Sequence, residues 1–302
     1  MKKALLLFGG TLLLFLAATC TLDHYLFKKN KSFSVQMILS TLPACPAWTT
    51  PAPSWEEREQ LLEIFSQNFH YLDRGGQSAV FASDDGEYVL KFYRFPSHLR
   101  PAGWLKHPFA YHFHTGRKEI KKHNAEKLKI TFSSFLLAST HLKEESGLLF
   151  THLNPTKELH LFVRIVDYLG SHYRVNLDQV AFLLQKRAEG IFPTLATLIK
   201  AGKPEEAKRH LKSLLHLLLV RCNKGIADLD ALLEQNYGFS KERAIHIDVG
   251  RLALDETFKK KEKRKEHFHS VLWRLREWLK ESAPELSLYF EESMEEMLSS
   301  NV

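Results

Sequence analysis

The sequence predicts an α+β chain in two unlike halves, the first strand-rich around one long helix and the second helical. Three stretches carry that prediction. Ala79–Ser83 and Val89–Phe92 are short apolar runs joined by Asp84-Asp85-Gly86, the pattern of a hairpin. From Arg117 to about Leu142 no glycine or proline interrupts the chain. Leu128, Phe132, Phe135, Leu136 and Leu142 form one stripe there, so a long helix packs on one face. After Pro193 strand signals largely give way to helical ones, and Pro204-Glu205-Glu206 is a helix start, with proline in the first turn and carboxylates at the positive end of the dipole.

The remaining elements follow in chain order. Lys2-Lys3 precede the apolar run Ala4 to Thr19, so residues 1–22 read as a signal peptide or signal anchor. The run is at the short end of the roughly 17–25 residues that cross a bilayer. Ala17-Ala18-Thr19-Cys20 resembles a lipoprotein cleavage site, although threonine before the cysteine fits poorly. Lysines on both sides leave orientation open. Membrane association through this segment is the expectation, with secretion after cleavage as the alternative. Pro43, Pro46, Pro51 and Pro53 mark residues 23–54 as a linker. Trp55 to Phe69 reads as an amphipathic helix with Leu61, Leu62, Phe65 and Phe69 at helical spacing. Leu148–His152, Leu159–Tyr168 and Val180–Gln185 read as strands, and a connector at Lys186–Gly190 separates a first lobe (55–188) from a second (189–302). In the second, Leu211, Leu214, Leu215, Leu218 and Leu219 line one helix ended by Gly225, and residues 271–297 form a helical region broken at Pro284.

A net charge of +7 points to anionic partners, nucleotides or acidic headgroups. No zinc-finger spacing, RNP-like motif or helix-turn-helix signature is present, so nucleic acid is not expected. Cys20, Cys45 and Cys222 are too few and too far apart for a disulfide framework or a metal site, and Cys222 reads as a buried thiol. The sixteen histidines are scattered; His112/His114 and His267/His269 are weak metal pairs, and His246 reads as a partly buried strand residue. Trp273 and Trp278 read as core. The run Lys259 to Lys265 reads as a solvated face, or in a sharper version as a contact with anionic lipid.

The chemistry concentrates in two tracts. In Asp73-Arg74-Gly75-Gly76-Gln77-Ser78-Ala79-Val80, a small-residue turn between strands is followed by Lys91 on the next strand. Such a loop points backbone N–H groups at phosphate oxygens while the ammonium neutralises part of their charge. In the second half come Asp228-Leu229-Asp230, then Asn236, then the short strand Ile245-His246-Ile247 ending in Asp248-Val249-Gly250. Asn236 and Asp248 are hard oxygen ligands suited to Mg²⁺ whose shell phosphates complete.

In order and spacing these tracts resemble the protein-kinase-like fold family, over roughly Phe69 to Leu252. The family's glycine loop overlies Asp73 to Val80, with Asp73 and Ser78 replacing its first and third glycines. Its strand lysine corresponds to Lys91, its catalytic aspartate to Asp230, its loop asparagine to Asn236 and its metal-binding aspartate to Asp248. More narrowly, the chain resembles membrane-anchored kinase-like proteins of chlamydiae. The resemblance implies a two-lobed protein-kinase-like fold with a truncated helical C-lobe, preceded by the N-terminal membrane segment. It implies ATP and Mg²⁺ as cofactors, with Gly75, Gly76, Gln77, Ser78, Val80 and Lys91 around the nucleotide, Asp230 and Lys91 catalytic, and Asn236 and Asp248 on the metal. The implied activity is phosphoryl transfer to a hydroxyl of a small-molecule, lipid-linked or protein acceptor. The alternative is an inactive pseudokinase acting as a membrane-tethered scaffold.

The departures are specific. Asn236 follows Asp230 one position later than the family's spacing, which leaves Asp228 as an alternative base. The chain after Gly250 is short for an activation segment and the usual later helices, favouring a small or lipid-linked acceptor over a docked peptide. At about 100° per residue, Glu119 and Glu126 both fall nearly opposite the apolar stripe, so the usual glutamate partner of Lys91 is unassigned.

Overall fold

The computed structural model describes residues 2–101 and 117–299. The His112/His114 pair lies outside them. The N-terminal apolar run falls within one helix, α1 (Lys2–Lys29). Among the described residues no helix is long and apolar enough to cross a membrane.

The first correction concerns residues 30–54, expected as a linker. They are a strap packed on the body. Phe33, Met37 and Ile38 are buried, and the Phe33 ring meets Phe81 edge-on at 5.2 Å. Phe95 N–H donates to Met37 O at 2.8 Å, and Asn154 pairs with both backbone groups of Cys45. Trp48 then packs edge-on against Phe132 at 5.0 Å. The prolines begin only at Pro43, so the apolar side chains ahead of them are free to be buried, each contributing about 1.5–3 kcal/mol.

Helix α2 (Trp55–Ser66) opens with a full capping box: Ser54 Oγ accepts from Glu57 N–H, and the Glu57 carboxylate accepts from Ser54 N–H. The strands β1 (Asn68–Arg74), β2 (Ser78–Ser83), β3 (Tyr88–Tyr93), β4 (Leu148–His152), β5 (Phe162–Val166), β6 (His172–Asn176) and β7 (Phe182–Lys186) form one sheet. Its order is β4-β7-β3-β2-β1-β5-β6, antiparallel except for β1 beside β5. One face carries Phe69, Phe81, Phe92 and Phe182, all buried with Phe33 and Phe65. In register, Val80 of β2 lies opposite Lys91 of β3, and Lys91 opposite Leu183 of β7. The period of two therefore places Val80, Lys91 and Leu183 together on the other face, toward the second half of the chain.

Helix α3 (Arg117–His141) buries Leu128, Phe132, Phe135, Ala138 and, just past its end, Leu142, the predicted stripe. Leu136 is only partly buried. The stripe packs on β4, on Trp48 of the strap and on the β12 strand (Leu252–Leu254).

After β7 the short β8 (Glu189–Gly190) pairs with β10 (Tyr237–Ser240), so the chain enters its second half between Lys186 and Glu189. There α4 (Ile191–Lys200), α5 (Pro204–Asn223), α7 (Lys261–Ser282) and α8 (Pro284–Ser299) enclose a separate core. Leu211, Leu214, Leu215 and Leu218 of α5 are its centre, and Cys222 is a buried free thiol. Gly225, at φ 63°, lets the chain reverse from α5 into β9 (Ile226–Asp228), which pairs with β12. The remaining pieces are α6 (Leu233–Asn236) and β11 (Arg243–His246). Helix α7 starts at Lys261, earlier than the sequence suggested, so Lys261 to Lys265 form its first turn. Trp278 packs on Phe192, but Trp273 is 54% exposed, a correction to its reading as core.

Candidate active site

A cavity of about 620 Å³ lies between the sheet and the helical half. Gly75, Gly76, Gln77, Ser78, Val80, Lys91, Asp230, Asn236 and Asp248, the residues singled out from the sequence, all line it. They come from four separated segments.

The loop between β1 and β2 is closed by Gly75 N–H donating to Ser78 O at 3.0 Å and Arg94 N–H donating to Gln77 O at 2.8 Å. A Cβ at Gly75 or Gly76 would meet no atom within 4 Å, so these glycines leave open space over the cavity rather than satisfy a packing need. Gln77 reaches inward, where Thr131 Oγ1 of α3 donates to its Oε1 at 2.5 Å. The loop tip is thereby tied to the long helix.

Lys91 is held under the loop, and its ammonium donates to the carbonyl of Ile247, next to Asp248. Burial lowers its pKa, and the neighbouring Asp248 opposes that shift. No carboxylate forms an ion pair with it among the described residues. Glu126 does reach the cavity wall, together with His123, Lys127 and Ile130. Glu126, His123 and Ile130 stand on the exposed side of α3, nearly opposite the apolar stripe. Sequence periodicity placed Glu126 nearly opposite the stripe but could not say that this side would border the cleft. Glu126 is thus the α3 carboxylate at the site, and it is not bonded to Lys91.

Asp230 is exposed to the cavity just beyond β9. Asn236, buried at the end of α6, donates through Nδ2 to Asp230 O, which fixes the loop between them. Asn236 O in turn accepts from Ile247 N–H at 2.7 Å. The Asp248 turn is closed by Gly250 N–H donating to Asp248 Oδ1 at 3.0 Å, and a Cβ at Gly250 would stand 3.1 Å from that same oxygen. Helix α3 holds the turn from behind: Ser134 Oγ donates to Val249 O at 2.5 Å and accepts from Leu252 N–H at 2.6 Å. These bonds leave Asn236 Oδ1 and Asp248 Oδ2 unused, two hard oxygen donors of the kind that could hold Mg²⁺.

Asp228, the alternative base, does not line the cavity, which corrects that option. Its carboxylate is 1% exposed, with Arg221 Nη1 3.3 Å away and the Tyr237 hydroxyl donating to it at 2.8 Å. His246 Nε2 stands 3.3 Å from the same oxygen, and its ring stacks on Tyr237 at 4.5 Å. Burial alone would raise the Asp228 carboxyl; His246 and Arg221 outweigh it and hold the group well below the usual range. Burial leaves His246 neutral more readily than usual. Arg221 also donates to His267 Nε2, and burial together with that guanidinium holds His267 down to about 3. His267 is therefore a hydrogen-bond acceptor in the core, not half of a metal pair with His269. This network of Arg221, Asp228, Tyr237, His246 and His267 was missed in the sequence, since its members are spread over five elements.

No protein-family model matches the chain, and no curated protein matches it. Among solved structures it is similar to WbdD at 2.2 Å resolution, with 16% identity and a TM-score of 0.36 over 75% of this chain and 45% of that one. A second structure, of the bifunctional kinase-methyltransferase WbdD, gives 15% and 0.32 over 72% and 43%. A Toxoplasma gondii rhoptry antigen kinase domain gives 13% and 0.30 over 62% and 49%. The chain spans less than half the length of each.

Proposed function

We propose that this chain has a protein-kinase-like fold and is an ATP-dependent phosphotransferase acting on a hydroxyl acceptor. One observation carries the proposal: the loop Gly75–Ser78, Lys91, Asp230, Asn236 and Asp248, far apart in sequence, line a single cleft between a sheet and a helical half. In this reading the N–H groups of Gly76 and Gln77 face phosphate oxygens, and Lys91 neutralises the α- and β-phosphates from a desolvated position where its charge acts strongly. Asn236 and Asp248 would hold Mg²⁺, which supplies charge neutralisation at the transferred group. Asp230 orients the acceptor hydroxyl and takes its proton. The rate gain comes from positioning and charge neutralisation, not from a covalent intermediate.

A second reading, a pseudokinase serving as a scaffold, is favoured by one contact. Lys91 is bonded to the Ile247 carbonyl while Glu126 stands unengaged with it. In either reading the N-terminal segment tethers the body to a membrane. A thermal-shift titration with ATP and Mg²⁺ followed by transfer from γ-labelled ATP separates them. Binding to the native state raises the unfolding temperature. A shift with label transfer supports the phosphotransferase, a shift without transfer the pseudokinase. No shift at millimolar nucleotide removes the nucleotide-binding premise from both.

A further inference from the structure

Besides Lys91, two further cations line the cleft, Lys127 and Arg251, with His123 beside them, and its carboxylates are Glu126, Asp230 and Asp248. Lys127 and His123 lie one and two turns of α3 outward from Thr131, which bonds the loop tip. Arg251 follows the Asp248 turn, and its carbonyl accepts from Leu229 N–H at 3.0 Å, next to Asp230. Gln77 Oε1 is 3.7 Å from a Cβ built on Gly250, so the loop tip, α3 and this turn converge. All three basic side chains line the cavity, and neither Lys127 nor Arg251 pairs with a carboxylate among the described residues.

Unpaired cations continue along the exposed face of α3, where Lys118, Lys121, Lys122 and Lys129 also lack acidic partners among the described residues, although Glu119 and Glu126 are at hand. Lysines on α5 and α7 behave differently: Lys208, Lys263 and Lys280 each pair with a glutamate three residues away. Unpaired cations with low-dielectric walls focus positive potential into a cleft. A guanidinium offers phosphate a planar fork, and an ammonium adds a point charge.

We propose that the acceptor is a hydroxyl compound that already carries a phosphate group, bound by Arg251, Lys127 and His123 with its free hydroxyl at Asp230. This rests on the phosphotransferase reading and specifies its substrate class. The acceptor oxygen forms a bond to the γ-phosphorus as the bond from that phosphorus to the bridging oxygen of ATP breaks. The electron pair leaves with ADP, and the hydroxyl proton passes to the Asp230 carboxylate and then to solvent.

The same chemistry has two sources, a soluble sugar phosphate or a phosphate-bearing lipid headgroup. The test uses the full chain with Mg²⁺ and a non-hydrolysable ATP analogue. Binding is measured for a hexose 6-phosphate against the free hexose, and for phosphatidylinositol vesicles against phosphatidylcholine vesicles. The expected result is a preference for the hexose 6-phosphate over the hexose, or for phosphatidylinositol, whose phosphodiester leaves a net negative charge beside free hydroxyls, over zwitterionic phosphatidylcholine, which has no free hydroxyl; the arm that responds identifies the source. Arg251→Ala and Lys127→Ala should each weaken that binding tenfold or more while keeping the stabilisation by ATP. No preference in either arm, or a preference unchanged in both variants, overturns the inference and leaves the nucleotide reading intact. Loss of the ATP stabilisation in the variants assigns these cations to the nucleotide and also overturns it. Failure of the unaltered chain to respond to ATP at all is the separate failure of the phosphotransferase reading.

Discussion

Acid should unfold this protein partly through one imidazole. His267 is buried and accepts a hydrogen bond from Arg221, an arrangement that protonation abolishes. Its pKa is about 3 in the fold against an ordinary 6.5. Below pH 6.5 the unfolded chain therefore binds a proton that the folded chain refuses, and stability falls as pH falls. Each pH unit removes about 1.4 kcal/mol, so roughly 2 kcal/mol from this residue is gone at pH 5. Asp228, held well below its ordinary 3.8, acts in a lower window: its stabilising contribution is complete above 3.8 and is lost as pH falls through its folded value. His246 and His152, both lowered by burial, act in the same direction as His267. The perturbation is His267→Gln, whose amide oxygen can still accept from Arg221 but does not titrate. Urea unfolding of both proteins at pH 7 and pH 5 gives the comparison, with the remaining histidines common to both. The variant should lose about 2 kcal/mol less than the unaltered protein over that interval. Parallel losses would refute the assignment of His267 as a neutral acceptor.

Two other predictions address the cleft and the fold. Asp248→Asn removes the one carboxylate proposed for the metal while keeping its shape, so label transfer from ATP should fall by about 10²–10³ or more with the circular dichroism spectrum unchanged. Full turnover in that variant would remove Asp248 from the metal role. Gly238→Ala puts a Cβ 2.7 Å from the Glu189 carbonyl and 3.0 Å from Ala188 Cβ, where backbone on both sides must move. Urea unfolding should show a loss of about 1–3 kcal/mol, and a neutral result would mean that the β8–β10 pairing gives way easily.

What was legible in the sequence was local. The Gly75-Gly76 turn, Lys91 on its strand, and Asp248 at a strand end are patterns within a few residues, and all of them line the one cleft. Asn236 was legible despite its irregular spacing, because the added residue is absorbed between Asp230 and α6, where the Asn236 side chain still reaches the Asp230 carbonyl. What failed depended on tertiary tilt or on partners distant in sequence. Glu126 could not be assigned because it falls nearly opposite the apolar stripe, and only the docked helix brings that exposed side to the cleft. Asp228 stayed open as a base because only the folded chain surrounds it with Arg221, Tyr237 and His246. The strap misled for another reason: its prolines were read as punctuation, while Phe33, Met37 and Ile38 ahead of them carried the packing signal.

That strap changes what the N-terminal helix can transmit. Helix α1 stops at Lys29, and the next residue is already part of the body: Asn30 is buried, with its amide donating to Phe33 O at 3.2 Å and to Asp167 Oδ2 at 2.9 Å. Lys31 then caps the Tyr168 ring at 4.8 Å. A run of free residues between α1 and the body would let the two reorient independently. This joint has no slack, so a torque or tilt applied to α1 arrives at the β5–β6 turn within two residues. It also sets the true start of the folding unit at Asn30: a chain begun at Trp55 would leave the Phe81 and Phe132 surfaces uncovered.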